Sequence, residues 1–142
     1  MQPHQNVFTP EEAAAWSRDL YEDGVDRMDA ARFASVFTDD AWLRFANNEP
    51  VIGRQAIEAA IAWFFTTIGS LRHEAAGTWC QGDAVILQAN VTYDRKDGGE
   101  VTVPAVTIFR LKRSEEDPSA PPMAHRCQMF VDLTPLYAPA PI

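Results

Sequence analysis

GRQAIEAAIAWFFTTIGS, residues 53–70, contains the clearest helix pattern of the chain and the point at which the sequence changes from helix-forming to strand-forming residues. Apolar residues recur in it at the three- and four-residue spacing of one helix face, and Gly53 precedes the first turn. Gly69 and Ser70 interrupt this pattern, and the residues that follow are rich in β-forming types. The apolar stripe consists of Ile57, Ala60, Ile61, Phe64, Phe65 and Ile68. The stretch therefore predicts an amphipathic helix followed by a region of strands.

Two shorter helices are predicted before this one. Thr9, Pro10 and Glu12 supply an N-cap hydroxyl, a first-turn proline and a carboxylate three residues after the cap, which together satisfy the unpaired first-turn amides. Asp29 is placed to cap a second, shorter helix. Residues 40–45 then read as a short strand that a turn connects to another. The N-terminal half is therefore expected to contain three helices and a small hairpin.

The C-terminal half is predicted to consist of strands. Runs rich in β-branched and aromatic residues are separated by short turns containing glycine and aspartate, which indicates sequential hairpins and an antiparallel meander. Three prolines in residues 133–142 prevent that tail from extending the sheet, so we expect it to run irregularly over the surface. Helices segregated ahead of an antiparallel sheet define the α+β class, here as a single domain over residues 1–142. The long strands are placed at residues 71–81, 84–94, 101–113 and 123–132.

Composition restricts the classes of partner. The 142 residues, 46% of them hydrophobic, suffice for one domain with a buried core. A formal charge of −8 repels phosphate backbones and anionic lipid heads, so no nucleic acid partner is expected, and no stretch approaches the roughly 18 apolar residues of a membrane span. Cys80 and Cys127 lie outside any metal-ligand spacing, and the N-terminus lacks the pattern of a signal peptide. These features are typical of a cytoplasmic protein without a metal site.

A series of short motifs resembles the polyketide cyclase-like (SnoaL-like) branch of the NTF2-like superfamily. The resemblance covers residues 10–137 and lies in the order and spacing of the motifs. It implies a cone-shaped α+β barrel, in which three N-terminal helices pack on a strongly curved, mainly antiparallel sheet around an internal pocket. The superfamily includes cyclases, isomerases, dehydratases and members without known activity, so the fold leaves the function open. The motifs are FTDDA (37–41), GRQAI (53–57), GDAV (82–85), VTY (91–93), DG (97–98) and FVDLTPL (130–136).

Asp132 is the first candidate catalytic residue. The period of a strand puts it on the same face of the last strand as Gln128 and Phe130. In the cyclases that the chain resembles, an aspartate on the last strand is the acid/base of an aldol ring closure, a role that partial desolvation of a carboxylate favours. The alternative is that Asp132 accepts hydrogen bonds from the turn at residues 133–134 or pairs with an arginine.

His73 and Tyr21 are the two candidate polar assistants. Several relatives carry a pocket histidine early in the first long strand, where His73 lies, so it could hydrogen-bond Asp132 or a ligand oxygen and shuttle a proton. Comparison with ketosteroid isomerases puts Tyr21 at their oxyanion-stabilising tyrosine. It also puts Phe45 at their catalytic aspartate, so that specific activity is not expected. The alternatives are a histidine satisfied by a neighbouring strand and a tyrosine on the helix surface.

The resulting expectation is a small-molecule pocket. The first hypothesis is an enzyme that cyclises, isomerises or dehydrates an apolar carbonyl compound without a cofactor, with Asp132 as its acid/base. The alternatives are a non-catalytic binding module for an apolar ligand and a dimerisation or adaptor domain. The resemblance also implies a homodimer formed through the sheet face. The residues expected to line the pocket are Phe45, Ile61, Phe64, Phe65, Gln128 and Phe130.

Overall fold

The three N-terminal helices begin at the residues that the sequence predicts, and side-chain hydrogen bonds cap the first two. The hydroxyl of Thr9 accepts a hydrogen bond from the backbone N–H of Glu12 (3.0 Å), and the Glu12 carboxylate accepts one from the backbone N–H of Thr9 (3.1 Å). The Asp29 carboxylate accepts from the backbone N–H of Arg32 (3.0 Å) at the second helix. Gly53 precedes the third helix with a φ of +101°, which glycine adopts at low cost. The predicted starts of these helices are confirmed.

The computed structural model describes residues 7–138. The helices are α1 (Pro10–Leu20), which continues into a π-helical turn (Tyr21–Val25), α2 (Ala30–Ala34), α3 (Arg54–Thr66) and α4 (Thr134–Tyr137). The strands are β1 (Phe37–Phe45), β2 (Val51–Ile52), β3 (Ser70–Gln81), β4 (Ala84–Asp94), β5 (Glu100–Lys112) and β6 (Met123–Val131). In this part of the chain no helix is long and apolar enough to cross a membrane.

The strands form one curved sheet in the order β2-β1-β6-β5-β4-β3. Neighbouring strands are antiparallel except β1 and β6, which run parallel with Phe45 opposite Met129. β2 and β3 remain as edges, so the sheet is not closed into a complete barrel. The predicted α+β class, with helices on a curved and mainly antiparallel sheet, is confirmed.

The helices cover the concave face of the sheet, and the hydrophobic core lies between them. Alternate residues of each strand point toward the helices because successive side chains of a strand face opposite sides. Full burial of a large apolar side chain contributes about 1.5–3 kcal/mol, so this shared core holds helices and sheet together. The largest fully buried apolar side chains, which come from both layers, include Leu20, Phe33, Phe37, Leu43, Ile57 and Phe109.

The C-terminal tail differs from the sequence prediction. Thr134–Tyr137 forms a single helical turn where an irregular chain was expected, and the side chain of Leu136 is buried. Pro135 lies in the first turn of this helix, where the absence of a backbone N–H costs nothing. A proline that prevents a strand therefore does not prevent this turn. Residues 139–142 of the predicted tail lie outside the described residues.

Candidate functional site

An internal cavity of about 50 Å³, which we call the inner cavity, lies between the helices and the concave face of the sheet. This volume has room for about four water-sized groups, and it is far below the roughly 300–1,000 Å³ of sites for drug-sized ligands. The inner cavity therefore fits a molecule of only a few heavy atoms. Its lining is apolar apart from the polar groups of Tyr21, His73, Tyr93 and Thr107.

His73 is held at the cavity wall by the carboxylate of Asp26. The imidazole Nδ1 lies 2.7 Å from Oδ1 of Asp26, and the backbone N–H of His73 donates to Oδ2 at 3.2 Å. The two side chains are only 14% and 23% exposed, so water screens the contact little. A carboxylate only accepts hydrogen bonds, so Nδ1 is the ring nitrogen that carries a proton in this contact. Nε2 is then the nitrogen that can accept a proton.

The π-helical turn at the end of α1 explains how Asp26 reaches His73. The backbone N–H of Asp26 donates to the carbonyl of Tyr21, five residues earlier, at 2.8 Å. Tyr21 and Asp26 thus stand at the two ends of one wide turn, and both contact His73. Asp26 is not recognisable from the sequence, because 47 residues separate it from His73 and no local motif marks it.

Tyr21 is the second polar group beside His73. Its ring centroid lies 4.5 Å from that of the imidazole, and only 6% of its surface is exposed. Burial raises the pKa of Tyr21 well above its ordinary value, and a side-chain hydrogen bond with Thr107 opposes this only in part. The phenol therefore stays protonated near neutral pH and acts as a hydrogen-bond donor. The alternative of a tyrosine on the helix surface is wrong.

Asp132 lies outside the inner cavity, and its predicted place in the pocket is wrong. Its side chain is exposed, and its carboxylate accepts a hydrogen bond from the backbone N–H of Thr134 at 3.0 Å. Hydrogen bonds from the side chain and the backbone of Thr134 hold the pKa of Asp132 below its ordinary value. An acid/base in an apolar pocket needs the opposite shift. The observed role is the alternative one, a carboxylate that accepts from the following turn.

The orientation of β6 explains this error. Met129 and Val131 line the inner cavity, so Gln128 and Phe130, which alternate with them, belong to the opposite, convex face. Phe130 is accordingly 54% exposed. Neither Gln128 nor Phe130 lines the pocket, contrary to the sequence prediction. Strand periodicity establishes which residues share a face, but it does not establish which face is buried.

Helix α3 and β1 supply the aromatic side of the cavity wall. Four of the six residues predicted to line the pocket, Phe45, Ile61, Phe64 and Phe65, line the inner cavity. The ring centroids of Phe45 and Phe64 lie 4.9 Å apart, and the ring of Phe64 stands edge-on to Tyr93 at 6.0 Å. The apolar rings of this wall lower the polarity of the surroundings of the polar groups that line the same cavity.

Two of the four polar groups of the wall are of the kind that proton transfer uses. They are the imidazole of His73, with the Asp26 carboxylate behind it, and the phenol of Tyr21 beside it. Within residues 7–138, no group of three or more His, Cys, Asp or Glu side chains is arranged to hold a metal ion. The arrangement can accept a proton from a bound molecule and donate a hydrogen bond to an oxygen of that molecule.

Comparison with protein families gives one match. The model of the SnoaL-like domain matches residues 17–115. The matched region includes Tyr21, Asp26 and His73, and it ends before β6 and Asp132. The chain matches none of the curated proteins.

Several solved structures share the fold. ActVI-ORFA from Streptomyces coelicolor is 18% identical, with a TM-score of 0.71 over 86% of this chain and 96% of that one. A candidate SnoaL-like polyketide cyclase from Jannaschia sp. is 22% identical, with a TM-score of 0.70 over 96% and 99% of the two chains. A hypothetical protein from Catenulispora acidiphila, with a ketosteroid isomerase-like fold and in complex with trimethylamine, is 21% identical, with a TM-score of 0.67 over 89% of each chain. These similarities show the fold alone.

Proposed function

The chain belongs to the SnoaL-like domain family, and on that premise we propose that its inner cavity binds a small apolar carbonyl compound and transfers a proton on it without a cofactor. The observation that carries the proposal is the contact of His73 with Asp26, 2.7 Å long, at the wall of an apolar cavity. Cyclisation, isomerisation and dehydration of such compounds share this first step, removal of a proton next to a carbonyl group.

His73 is the proposed base. Its Nε2 takes a proton from the carbon next to the carbonyl group, and the electron pair of the C–H bond moves onto the carbonyl oxygen to form an enolate. Asp26 keeps the imidazole in the productive tautomer and stabilises the imidazolium that results. The proton then returns from Nε2 to another atom of the same molecule. Asp26 and His73 thus replace Asp132 in the role that the sequence analysis gave it.

Tyr21 is the proposed donor to the enolate oxygen. Its buried phenol lies beside the imidazole, so a carbonyl oxygen near the ring can accept a hydrogen bond while the neighbouring carbon faces the base. A donor in a water-poor site stabilises developing negative charge more strongly than one in bulk water. Because burial raises the pKa of Tyr21, the phenol keeps its proton during this step.

The small size of the inner cavity restricts the substrate to a compound of few heavy atoms, or to the small reactive end of a larger one. The similarly folded protein from Catenulispora acidiphila was solved with trimethylamine, a molecule of that size. We therefore choose 2-butanone, a small ketone with exchangeable protons on both sides of its carbonyl group, as the probe for activity.

The test measures exchange of the 2-butanone protons for deuterium in D₂O by proton NMR. We expect the wild type to accelerate exchange over buffer, and His73→Gln and Asp26→Asn to lower the protein-catalysed rate about 100-fold, a typical contribution of a general base. Tyr21→Phe should lower it about 100-fold as well. Asp132→Asn, which removes an exposed carboxylate outside the cavity, is the matched control and should retain the rate. Equal rates for Asp26→Asn and Asp132→Asn, with both variants folded, contradict the proposal.

A second candidate function is ligand binding without turnover. It is favoured by the lining of the inner cavity, which contains no carboxylate and is apolar over most of its area. Saturation-transfer NMR with 2-butanone separates the two candidates. Binding without accelerated exchange, retained in Asp26→Asn, indicates a binding module; exchange that depends on Asp26 indicates an enzyme.

We also propose that the protein forms a homodimer through the convex face of its sheet. Trp79 on β3 and Phe130 on β6 are 51% and 54% exposed there. Ile86 and Ile108 form a row with Trp79, because Trp79 lies opposite Ile86 and Ile86 lies opposite Ile108. An apolar band across a sheet face is typical of an interface between proteins, and a second copy offers the same band for a two-fold contact.

A further inference from the structure

A second cavity, which we call the outer cavity, lies between α3, the β1–β2 turn and α4. Its volume is about 200 Å³, and it shares a wall with the inner cavity because Phe45, Ile61 and Phe64 line both. The proton transfer proposed above uses none of its other residues. The remaining lining consists of Leu43, Asn48, Glu49, Val51, Ala60, Trp63 and Tyr137.

Two exposed aromatic side chains line the outer cavity. Trp63 on α3 is 67% exposed and Tyr137 on α4 is 59% exposed. Within residues 7–138, neither ring stacks on another aromatic ring. Two large rings that line one cavity from different helices are therefore free to contact a ligand. The negative face of an aromatic ring attracts cations, most strongly for tryptophan.

Glu49 adds a negative charge to the same cavity. It is exposed and takes part in no ion pair among the described residues. The nearby guanidinium of Arg44 instead donates to the side chain of Asn47 and to the carbonyl of Asn48. Among the described residues Glu49 thus has no ion-pair partner, and the formal charge of −8 of the whole chain also favours a cationic ligand.

We propose that the outer cavity binds a small organic cation of the quaternary or tertiary ammonium class. The alkyl groups of such a cation contact the faces of Trp63 and Tyr137, and its charge lies near Glu49. A metal ion does not fit the same lining, since most of the cavity wall consists of apolar side chains that offer no ligand atoms. The proposal does not depend on turnover at His73, so it can fail or hold independently of the function proposed above.

The test compares choline with 3,3-dimethyl-1-butanol, a neutral alcohol of the same shape, at constant ionic strength. The protein has four tryptophans, so an NMR spectrum of ¹⁵N-labelled protein contains four indole N–H signals, and Trp63→Leu identifies the signal of Trp63 by its loss. We expect choline to shift the Trp63 signal saturably, with an affinity at least about fivefold higher than that of the alcohol. Equal affinity for the two probes, or no saturable shift with choline, overturns the proposal.

Variants of two glutamates locate the charge that matters. Glu49→Gln should remove most of the preference for choline over the alcohol. Glu58→Gln makes the same charge change on an exposed position of α3 that does not line the outer cavity, and it should keep the preference. An equal loss in both variants overturns the proposal, because the preference then follows net charge rather than this site. Both residues are exposed, so we expect each variant to fold. The dispersion of the signals in the same NMR spectra verifies this.

Discussion

Tyr21 and Tyr93 line the same small cavity, and burial shifts the pKa of both phenols in the same direction. Burial raises the pKa of each well above the ordinary value of 10.0, because the phenolate would lose its hydration there. The unfolded chain ionises both near that ordinary value, while the folded chain keeps them protonated. Their contribution to stability is therefore fully present below about pH 10 and is lost as the pH rises toward the folded-state values.

Absorbance at 295 nm, where phenolate absorbs, tests this difference. At about pH 11 the denatured chain should show nearly all of its three tyrosines ionised, whereas the folded protein should keep Tyr21 and Tyr93 protonated. Tyr21→Phe should leave the native absorbance at that pH unchanged, because this phenol is not ionised in the folded state. A native spectrum with three ionised tyrosines while the circular dichroism remains native contradicts the expectation.

The residue that sequence reasoning missed is Asp26. Its chain neighbours include Glu22 and Asp23, which have the same charge, and nothing local distinguishes it from them. Its role arises from the π-helical turn and from a partner 47 residues away. His73 and Tyr21 were identified through resemblance to a family, and their contact likewise joins a helix to a strand that is distant in sequence. Residue identity suggested the chemistry, but only the tertiary contact selects the carboxylate.

At the level of single elements, the start of α1 depends on a reciprocal pair of side chains. Removal of the capping hydroxyl in Thr9→Ala leaves a first-turn amide without its partner, so we expect the free energy of unfolding to fall by about 1 kcal/mol. Urea denaturation followed by circular dichroism measures this loss. Thr9→Ser retains the hydroxyl and should stay close to the wild type. A Thr9→Ser variant as unstable as Thr9→Ala indicates that the cap hydrogen bond is not the cause.

Elements were easier to predict than the faces they bury. β4 occupies the predicted residues, and the other long strands differ from their predicted ranges by one residue at one or both ends, because turn residues mark where a strand stops. The prediction of which face of β6 is buried was wrong, because both faces contain large apolar residues. Met129 lies on one face and Phe130 on the other. An alternating pattern with apolar residues on both faces does not specify which face meets the helices.

At the level of the whole molecule, the apolar band on the convex face of the sheet leads us to expect a homodimer. Light scattering coupled to size exclusion should give twice the chain mass of 15.8 kDa at micromolar concentration. Phe130→Glu places a charge in the apolar band and should shift the mass to that of one chain. Trp63→Glu makes a comparable change at an exposed position on α3 and should leave the dimer intact. A single-chain mass for the wild type contradicts the proposed dimer.

The parallel pairing of β1 with β6 has a consequence for the nascent chain. β1 ends at residue 45, but its main partner begins at residue 123. During synthesis, β1 and β5 therefore leave the ribosome with unpaired edges, and they keep them until β6 follows. Met129 and Val131, which complete the wall of the inner cavity, arrive at the same moment. A polypeptide released before residue 123 lacks this part of the cavity wall. The edges of β1 and β5 that β6 would cover also stay unpaired, which favours aggregation or binding by chaperones.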